Sequence, residues 1–161
     1  MKVKKIKSVL RKKILGTILQ LVPLKKRDYS KKYIKWLNDP EVNKYLETRF
    51  VKQNKKKIKN FLKEIEKNKN SILFGIYCKK KKNHIGNIKL GPVNWYHKYG
   101  DISYFIGIKN YWNKGYASEA VYLVTKYAFK VLNLNKCLAG VYSSNVASSK
   151  LLKKVVALSE V

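Results

Sequence analysis

Acidic residues, cysteines and long apolar runs are scarce in this sequence, and each shortage narrows the possible function. The two cysteines among 161 residues, Cys78 and Cys137, have no C-x-x-C spacing and lie in apolar, strand-like segments. They are interpreted as buried thiols of a reducing compartment, with no disulfide framework and no metal site. No apolar run reaches the eighteen or so residues that a membrane span needs. A cytoplasmic protein without a membrane span is therefore predicted.

The shortage of acidic residues leaves the chain strongly basic. Only 9 Asp and Glu residues stand against 37 Lys and Arg residues, which gives a formal net charge of +28. Such a charge attracts polyanions, including nucleic acid and phosphorylated small molecules. The lysines are spread over the whole chain, so binding to nucleic acid or to the ribosome is an alternative that is not favoured. The 45% of hydrophobic residues argue against disorder and predict one folded domain.

The N-terminal segment, residues 1–16, is predicted to be a basic tail. Its lysines and the apolar residues 14–22 that follow resemble the start of a signal peptide. Gln20 interrupts that apolar run, however, and Pro23 stands near the place of a small-residue cleavage site. A first strand over residues 17–22 is favoured instead, as the start of a single domain that spans residues 17–161. For residues 1–13, a membrane-surface helix is the alternative to a solvated tail.

Periodicity predicts a mixed α/β fold. Apolar residues at helical spacing predict two short helices, capped by Asp28 or Ser30 and by Asp39, and a third around residues 58–65. Strands are predicted over residues 71–78, 85–90 and 102–109, as an antiparallel meander with a lysine turn between the first two. A long helix to about residue 132, a strand over residues 136–142 and a last helix from about Asn145 follow. The order β-α-α-α-β-β-β-α-β-α predicts a mixed, mostly antiparallel sheet with helices on both faces.

The turn before the long helix, residues 113–120, carries the most information. A strand, a tight turn at Gly115 and a helix meet there, and the first turn of a helix leaves about four backbone N–H groups without intrahelical partners. The small residues Gly115, Ala117 and Ser118 let an anion approach these groups. The segment has a single glycine where G-x-G-x-x-G has three, and Lys114 precedes that glycine instead of following it as in a P-loop. Ordinary turn chemistry is therefore the alternative to a phosphate site.

Five segments follow one another in a fixed order: Trp36-Leu37-Asn38-Asp39-Pro40-Glu41-Val42, Ile85-Gly86-Asn87-Ile88, Tyr104-Phe105-Ile106-Gly107, Lys114-Gly115-Tyr116-Ala117-Ser118-Glu119-Ala120, and Asn145 with Ser148. Together they resemble the GNAT N-acetyltransferases, and among them the branch of the ribosomal-protein alanine acetyltransferases (RimJ/RimL-like). The resemblance covers about residues 17–156. It implies the acyl-CoA N-acyltransferase fold and an enzyme that moves an acetyl group to a primary amine.

The resemblance implies acetyl-CoA as co-substrate. The pyrophosphate is expected on the backbone N–H groups of the glycine turn. The pantetheine arm is expected in a gap between the strand before that turn and the strand after the long helix. The residues that the resemblance assigns to this ligand are Phe105, Ile106, Gly107, Ile108, Asn113, Lys114, Gly115, Tyr116, Ala117, Ser118, Asn145 and Ser148.

The implied reaction, direct attack of a neutral amine on the thioester, needs a base and a donor to the oxyanion. The resemblance places the base at Asp101, and His97 is the nearest histidine in sequence. A turn role for Asp101 and a solvated loop for His97 and His84 are the alternatives. A backbone N–H from residues 104–106 is the expected oxyanion donor.

The sequence departs from the family pattern in three places. One is Trp112, where many relatives have Arg or Gln, and the others are the acid for the thiolate and the C-terminal end. Many relatives carry a tyrosine, the acid for the leaving thiolate, where this chain has Leu152, and Tyr104 or Tyr111 are the alternatives. The last helix of relatives also runs into one or two further strands, whereas this sequence ends at residue 161. The fold is therefore expected to lack its last strand or strands, as if truncated at the C terminus. Completion by a partner chain, as in a homodimer, is an alternative.

The acceptor pocket is expected at Trp36, Asp39, Tyr45 and Arg49. Their aromatic and polar groups suit an amino-sugar nucleotide better than a protein N-terminus, and core packing is the alternative for Trp36. Two other functions stay open: a catalytically impaired remnant that binds CoA, and a basic module associated with RNA or the ribosome.

Overall fold

The computed structural model describes residues 12–159, and for residues 156–159 the backbone alone. The strands are β1 (Ile14–Leu15), β2 (Leu19–Pro23), β3 (Ile72–Cys78), β4 (Asn83–Asn94), β5 (Tyr99–Ile106) and β6 (Lys136–Leu138). The helices are α1 (Lys31–Asn38), α2 (Pro40–Asn43), α3 (Lys55–Lys67), α4 (Tyr116–Lys130) and α5 (Val146–Ser159). Short 3-10 helices cover Lys26–Asp28, Glu47–Phe50 and Lys109–Tyr111.

The strands form one sheet in the order β1-β2-β3-β4-β5-β6. The first five strands pair antiparallel with their neighbours, and β6 alone pairs parallel, with β5. The parallel pair needs a crossover connection, which α4 supplies. The predicted mixed, mostly antiparallel sheet is therefore confirmed.

Helix starts follow the capping residues of the sequence. The side chain of Ser30 accepts a hydrogen bond from the Tyr33 N–H at the start of α1, and that of Asp39 accepts one from the Glu41 N–H at the start of α2. Pro40 follows Asp39 at the first helical position, where its missing N–H costs nothing. These two predicted helix starts are confirmed.

Helices cover both faces of the sheet, each over its own core. One core joins the sheet to α4 and α5 and contains the fully buried Phe74 and Val124. The other joins the opposite face to α1 and α3, with Trp36 and the fully buried Leu62. The prediction of helices on both faces is confirmed.

The ends of several predicted elements differ from the structure. The strands predicted over residues 85–90 and 102–109 are Asn83–Asn94 and Tyr99–Ile106. Ile14 and Leu15, which the prediction places in the tail, pair with Leu21 and Gln20 as β1. Residues 1–11 of that tail, with the helix proposed there, lie outside the described residues. The last strand ends at Leu138, four residues before its predicted end, because the chain then turns away from β5.

Both cysteines are free thiols, with Cys78 buried and Cys137 partly buried. Between residues 12 and 159, none of the helices combines the length and the apolar character that crossing a bilayer requires.

Candidate active site

The sheet opens between β5 and β6. These two strands pair over three residues, from Tyr99 opposite Lys136 to Asp101 opposite Leu138, whereas β5 continues to Ile106. Within the described residues, no strand pairs with this side of β5 beyond Asp101. We call the resulting space the gap.

Backbone groups of β5 face the gap. The Gly107 N–H donates to the Ile85 carbonyl at 2.7 Å, and backbone groups in an antiparallel strand point alternately to its two sides. Tyr104 and Ile106 therefore direct their N–H and C=O groups away from β4. The Ile106 carbonyl accepts a hydrogen bond from the Trp112 indole at 2.8 Å. Within residues 12–159 the two N–H groups and the Tyr104 carbonyl have no partner, so they are available to a ligand.

The glycine turn lies just beyond the end of β5. Gly115 caps α4 with a φ of +86°, a left-handed conformation that glycine adopts without the penalty of a Cβ. In the described part of the chain, the backbone N–H groups of residues 113–118 have no acceptor. A Cβ at Gly115 would reach one atom within 4 Å, Ile18 Cδ1 at 4.0 Å. The turn therefore offers an open row of N–H donors that fits a pyrophosphate.

A hydrogen bond crosses the gap on the side of α4 and α5. The hydroxyls of Tyr104 on β5 and Ser148 on α5 are 2.6 Å apart, and burial raises the pKa of Tyr104. Asn145 begins α5, and its side-chain oxygen accepts the Ser148 N–H at 3.2 Å. The fold thus brings together three predicted site residues that are up to 44 positions apart in the sequence.

Residues 39–50, which we call the bridging segment, cross the gap on the opposite face. Its first end is held by Lys109, whose Nζ lies 3.1 Å from Asp39 and 2.8 Å from Glu41. The Glu41 N–H and the Lys109 ammonium hold the pKa of Asp39 below its usual range. The carboxylate of Asp39 is therefore already engaged at the start of α2.

The second end of the bridging segment contacts the loop after β6. The Tyr45 hydroxyl donates to the Ser144 carbonyl at 3.1 Å. Arg49 donates to the Tyr142 hydroxyl at 3.2 Å, and that hydroxyl donates to Glu47. The guanidinium also lies over the Tyr142 ring, 4.9 Å from its centroid. The gap is thereby enclosed on both faces of the sheet.

Comparison with known proteins assigns the family. A family model described as an acetyltransferase (GNAT) domain matches residues 19–155. This chain belongs to the GNAT acetyltransferases. It is 34% identical over 121 residues to the "Uncharacterized N-acetyltransferase p20" of Bacillus licheniformis, covering 73% of this chain and 67% of that protein. It is 38% identical over 69 residues to the "Uncharacterized N-acetyltransferase YnaD" of Bacillus subtilis, covering 41% of each.

Solved GNAT structures share the fold. A GNAT-family acetyltransferase from Bacillus anthracis has a TM-score of 0.74 at 24% identity, covering 89% of this chain and 82% of that one. The spermidine N-acetyltransferase of Vibrio cholerae, in complex with CoA and spermine, has a TM-score of 0.76 at 20% identity, covering 87% and 80%. At these identities the likeness shows the fold alone.

The two candidate bases of the GNAT reaction both lie near the N-terminal end of β5, at different distances from the gap. Asp101 is half-buried where the gap closes, and among the described residues its carboxylate has no hydrogen bond or ion pair. His97 is exposed in the turn before Tyr99. Because a strand rises ~3.3 Å per residue, Tyr104 lies about 16 Å along β5 from Tyr99. The structure therefore separates His97 from the gap and leaves Asp101 at its edge.

Trp36 and His84 are buried in the core beside α1. Trp36 is 7% exposed, and a Cβ at Gly107 would overlap its indole. The structure thus gives Trp36 the core position that was the alternative to an acceptor contact, and it requires glycine at 107. His84 is 8% exposed, with its ring edge-on to Trp36 at 5.0 Å, and burial lowers its pKa. The prediction of a solvated His84 is wrong.

Three contacts had no sequence prediction. They are those of Lys109 with Asp39 and Glu41, of Tyr142 with Arg49 and Glu47, and of Glu119 with the backbone N–H groups of Thr17, Ile18 and Leu19. Tyr142 was assigned to the last strand, where alternation alone does not reveal an interaction with Arg49. The sequence offered a partial indication for Glu119, because it is the one acidic residue in the first turn of α4. No three metal-ligating side chains lie together among residues 12–159.

Proposed function

We propose that this chain is an acetyl-CoA-dependent N-acetyltransferase that acts on the primary amine of a small molecule. The observation that carries the proposal is the gap, whose free strand edge continues directly into the free N–H groups of residues 113–118. An extended amide chain that ends in a pyrophosphate matches both features at once. The acetyl-CoA molecule has this form.

The ligand residues follow from this alignment. The pyrophosphate lies on the N–H groups of residues 113–118, beside the Lys114 ammonium. The pantetheine arm lies beside residues 105–108. The Ile106 carbonyl and the N–H groups of Gly107 and Ile108 already have protein partners, so the hydrogen bond from the arm to β5 goes to the Tyr104 carbonyl. Ser148 and Asn145 line the α5 side of the arm, as Tyr104 does from β5, and the Tyr104–Ser148 distance of 2.6 Å supports this grouping.

We assign one group to each step of the transfer. Asp101 removes a proton from the amine, which then forms the new C–N bond as the C–S bond breaks. The N–H groups of Tyr104 and Ile106 donate to the developing oxyanion, and one preorganised donor of this type is commonly worth about 3 kcal/mol. The thiolate takes a proton from the Tyr104 hydroxyl or from water, since a thiol with a pKa near 8.5 leaves readily.

Charge in the bridging segment favours an acceptor that is not a polycation. Asp39 and Glu41 are both paired with Lys109, and Glu47 accepts the Tyr142 hydroxyl. Arg49 makes no ion pair within residues 12–159 and lies 4.2 Å from the Phe50 ring centroid. A guanidinium held by aromatic rings is preorganised for a carboxylate or phosphate. An amino-sugar nucleotide, which combines an amine with a diphosphate, is the acceptor class we favour.

A wider class of small-molecule amines is the alternative acceptor. The spermidine enzyme of Vibrio cholerae shares the fold, which favours small-molecule amines in general. The ribosomal-protein branch, a protein N-terminus as acceptor, a homodimer and a cytoplasmic location remain predictions from the sequence.

The experiment has two stages. Saturating acetyl-CoA should raise the Tm of the chain, since a ligand that binds the native state alone stabilises it. Release of free thiol from acetyl-CoA is then followed with an amino-sugar nucleotide, spermidine and a peptide with a free N-terminus. Thiol release with the first of these supports the proposed acceptor. A Tm increase without transfer to any amine would indicate the impaired remnant, and no Tm increase would refute both functions.

A further inference from the structure

Glu119 binds a turn of the backbone that is about 100 residues away in the sequence. Its Oε1 accepts the Thr17 N–H at 2.7 Å, and its Oε2 accepts those of Ile18 and Leu19 at 3.0 and 3.1 Å. The three donors are consecutive: Thr17 and Ile18 lie in the turn between β1 and β2, and Leu19 begins β2. A carboxylate that accepts several backbone N–H groups forms strong, charge-assisted hydrogen bonds.

The β1–β2 turn is also held from a second side. Lys79 donates its N–H to the Ile18 carbonyl and its ammonium to the Gly16 carbonyl, both at 3.0 Å. A Cβ at Gly16 would lie 2.7 Å from Leu123 Cδ1 and 2.8 Å from Glu119 Oε2. The turn therefore fits closely between α4 and the β3–β4 hairpin.

This turn borders the row of free N–H groups at the start of α4. Ile18 is 37% exposed, and its Cδ1 is the one atom within 4 Å of the position that a Cβ would take at Gly115. Glu119 lies in the same first turn of α4 as the free N–H groups. A carboxylate so close to an anion site would repel a phosphate, unless its charge is taken up by other donors. The N–H groups of Thr17, Ile18 and Leu19 supply them.

We propose that Glu119 is a positioning residue for CoA: it holds Ile18 against the glycine turn as one wall of the phosphate site. The inference rests on the proposed CoA site at residues 113–118. Replacing Glu119 has two effects of opposite sign on CoA binding. Loss of the charge at residue 119 favours a bound anion, whereas loss of the hydrogen bonds releases the wall. The loss of the wall should outweigh the loss of the charge in its effect on CoA affinity, because three N–H groups already compensate the charge of Glu119.

The test compares three variants by calorimetric titration with CoA, well below the Tm of each. Glu119→Gln should weaken CoA binding about tenfold, which corresponds to about 1.4 kcal/mol. Glu119→Asp, which keeps the charge, should recover part of that loss. Glu64→Gln removes an equal charge from the exposed face of α3 and should leave the affinity within about twofold of the original. Unchanged or tighter binding by Glu119→Gln would overturn the proposal.

A fourth variant, Ile18→Ala, tests the wall even if Glu119→Gln does not fold. Ile18→Ala leaves the backbone hydrogen bonds in place and should itself weaken CoA binding, by about threefold or more, as the apolar wall is cut back. In the double variant with Glu119→Gln the two losses should be less than additive, because both act through one wall. Additive losses, or no loss from Ile18→Ala, would overturn the proposal. If Gly115→Val binds CoA as the original chain does, the CoA site itself is wrong, whatever Glu119 does.

Discussion

Replacing Gly115 by valine should abolish CoA binding and leave the chain folded. Gly115 has a φ of +86°, and the left-handed conformation costs an L-residue about 1–2 kcal/mol. No overlap adds to this strain, because the new Cβ has Ile18 Cδ1 as its nearest contact at 4.0 Å. A domain of this size loses about 2–4 °C of Tm per kcal/mol, so the Tm without ligand should fall by roughly 2–8 °C.

The binding effect should be much larger than the effect on stability. The valine methyl groups would fill the space above the N–H groups of residues 113–118 and keep a pyrophosphate from them. A hydrogen bond to a charged group is worth about 1.5–3 kcal/mol, so the loss of two weakens binding by at least about 100-fold. At a CoA concentration of 100 times the original Kd, the unchanged chain gains about 2.7 kcal/mol and the variant about 0.4 kcal/mol. The Tm increase should accordingly fall from roughly 5–11 °C to about 1 °C.

Asn133→Val is the matched control. Asn133 has a φ of +54°, is exposed, and lies beyond the opposite end of α4, so valine there introduces a similar backbone strain away from the glycine turn. Its Tm without ligand should fall, while its Tm increase with CoA should equal that of the unchanged chain. An equal increase in Gly115→Val would refute the placement of CoA at the glycine turn.

Three further results are expected. Asp101→Asn should lower kcat by about 10²–10⁴-fold and leave the affinity for CoA unchanged. His97→Gln should leave kcat unaltered, and a similar fall of kcat in both variants would contradict the choice of Asp101 as the base. Gly107→Ala should lower the free energy of unfolding, measured with urea, by about 1–3 kcal/mol, because the added methyl overlaps the Trp36 indole. Adding Trp36→Leu to this variant should relieve part of that loss, and strictly additive effects of the two substitutions would argue against the contact. Burial lowers the pKa of His84 in the folded chain below the value of about 6.5 in the unfolded chain, so between these two pKa values the unfolded chain binds more protons. The stability that neutral His84 contributes is therefore present above about pH 6.5 and is lost as the pH falls through the folded pKa. The free energy of unfolding of His84→Gln should decline less steeply on acidification, and an equal decline would exclude this contribution of His84.

Features fixed by neighbouring residues could be predicted from the sequence. Asp39 followed by Pro40 marks the start of α2, because the cap and the missing N–H act within one turn. Lys79 to Asn83 marks the β3–β4 turn for the same local reason. The glycine turn belongs to this class, since the φ at Gly115 and the start of α4 are decided within a few residues.

Features that depend on distant contacts could not be predicted. His84 is buried because Trp36 of α1 packs against it over the sheet, and the alternation of its own strand does not show this. The core position of Trp36 itself was one of the two roles that the sequence offered. The end of β6 was placed four residues too late, because residues 139–142 retain strand-like alternation although β5 diverges from them. Glu119 and the β1–β2 turn are joined by hydrogen bonds across about 100 residues.

The gap gives this sheet an edge in its interior. Exposed strand edges are hazards, since their unpaired groups can recruit a strand from another molecule. Here the bridging segment covers one face of the edge and the Tyr104–Ser148 pair the other, so that a flat strand with side chains on both faces is obstructed. A narrow chain whose amide groups lie along a single line meets no such obstruction. The enclosure therefore obstructs strand-to-strand association at this edge by the same geometry that would select the shape of the proposed ligand.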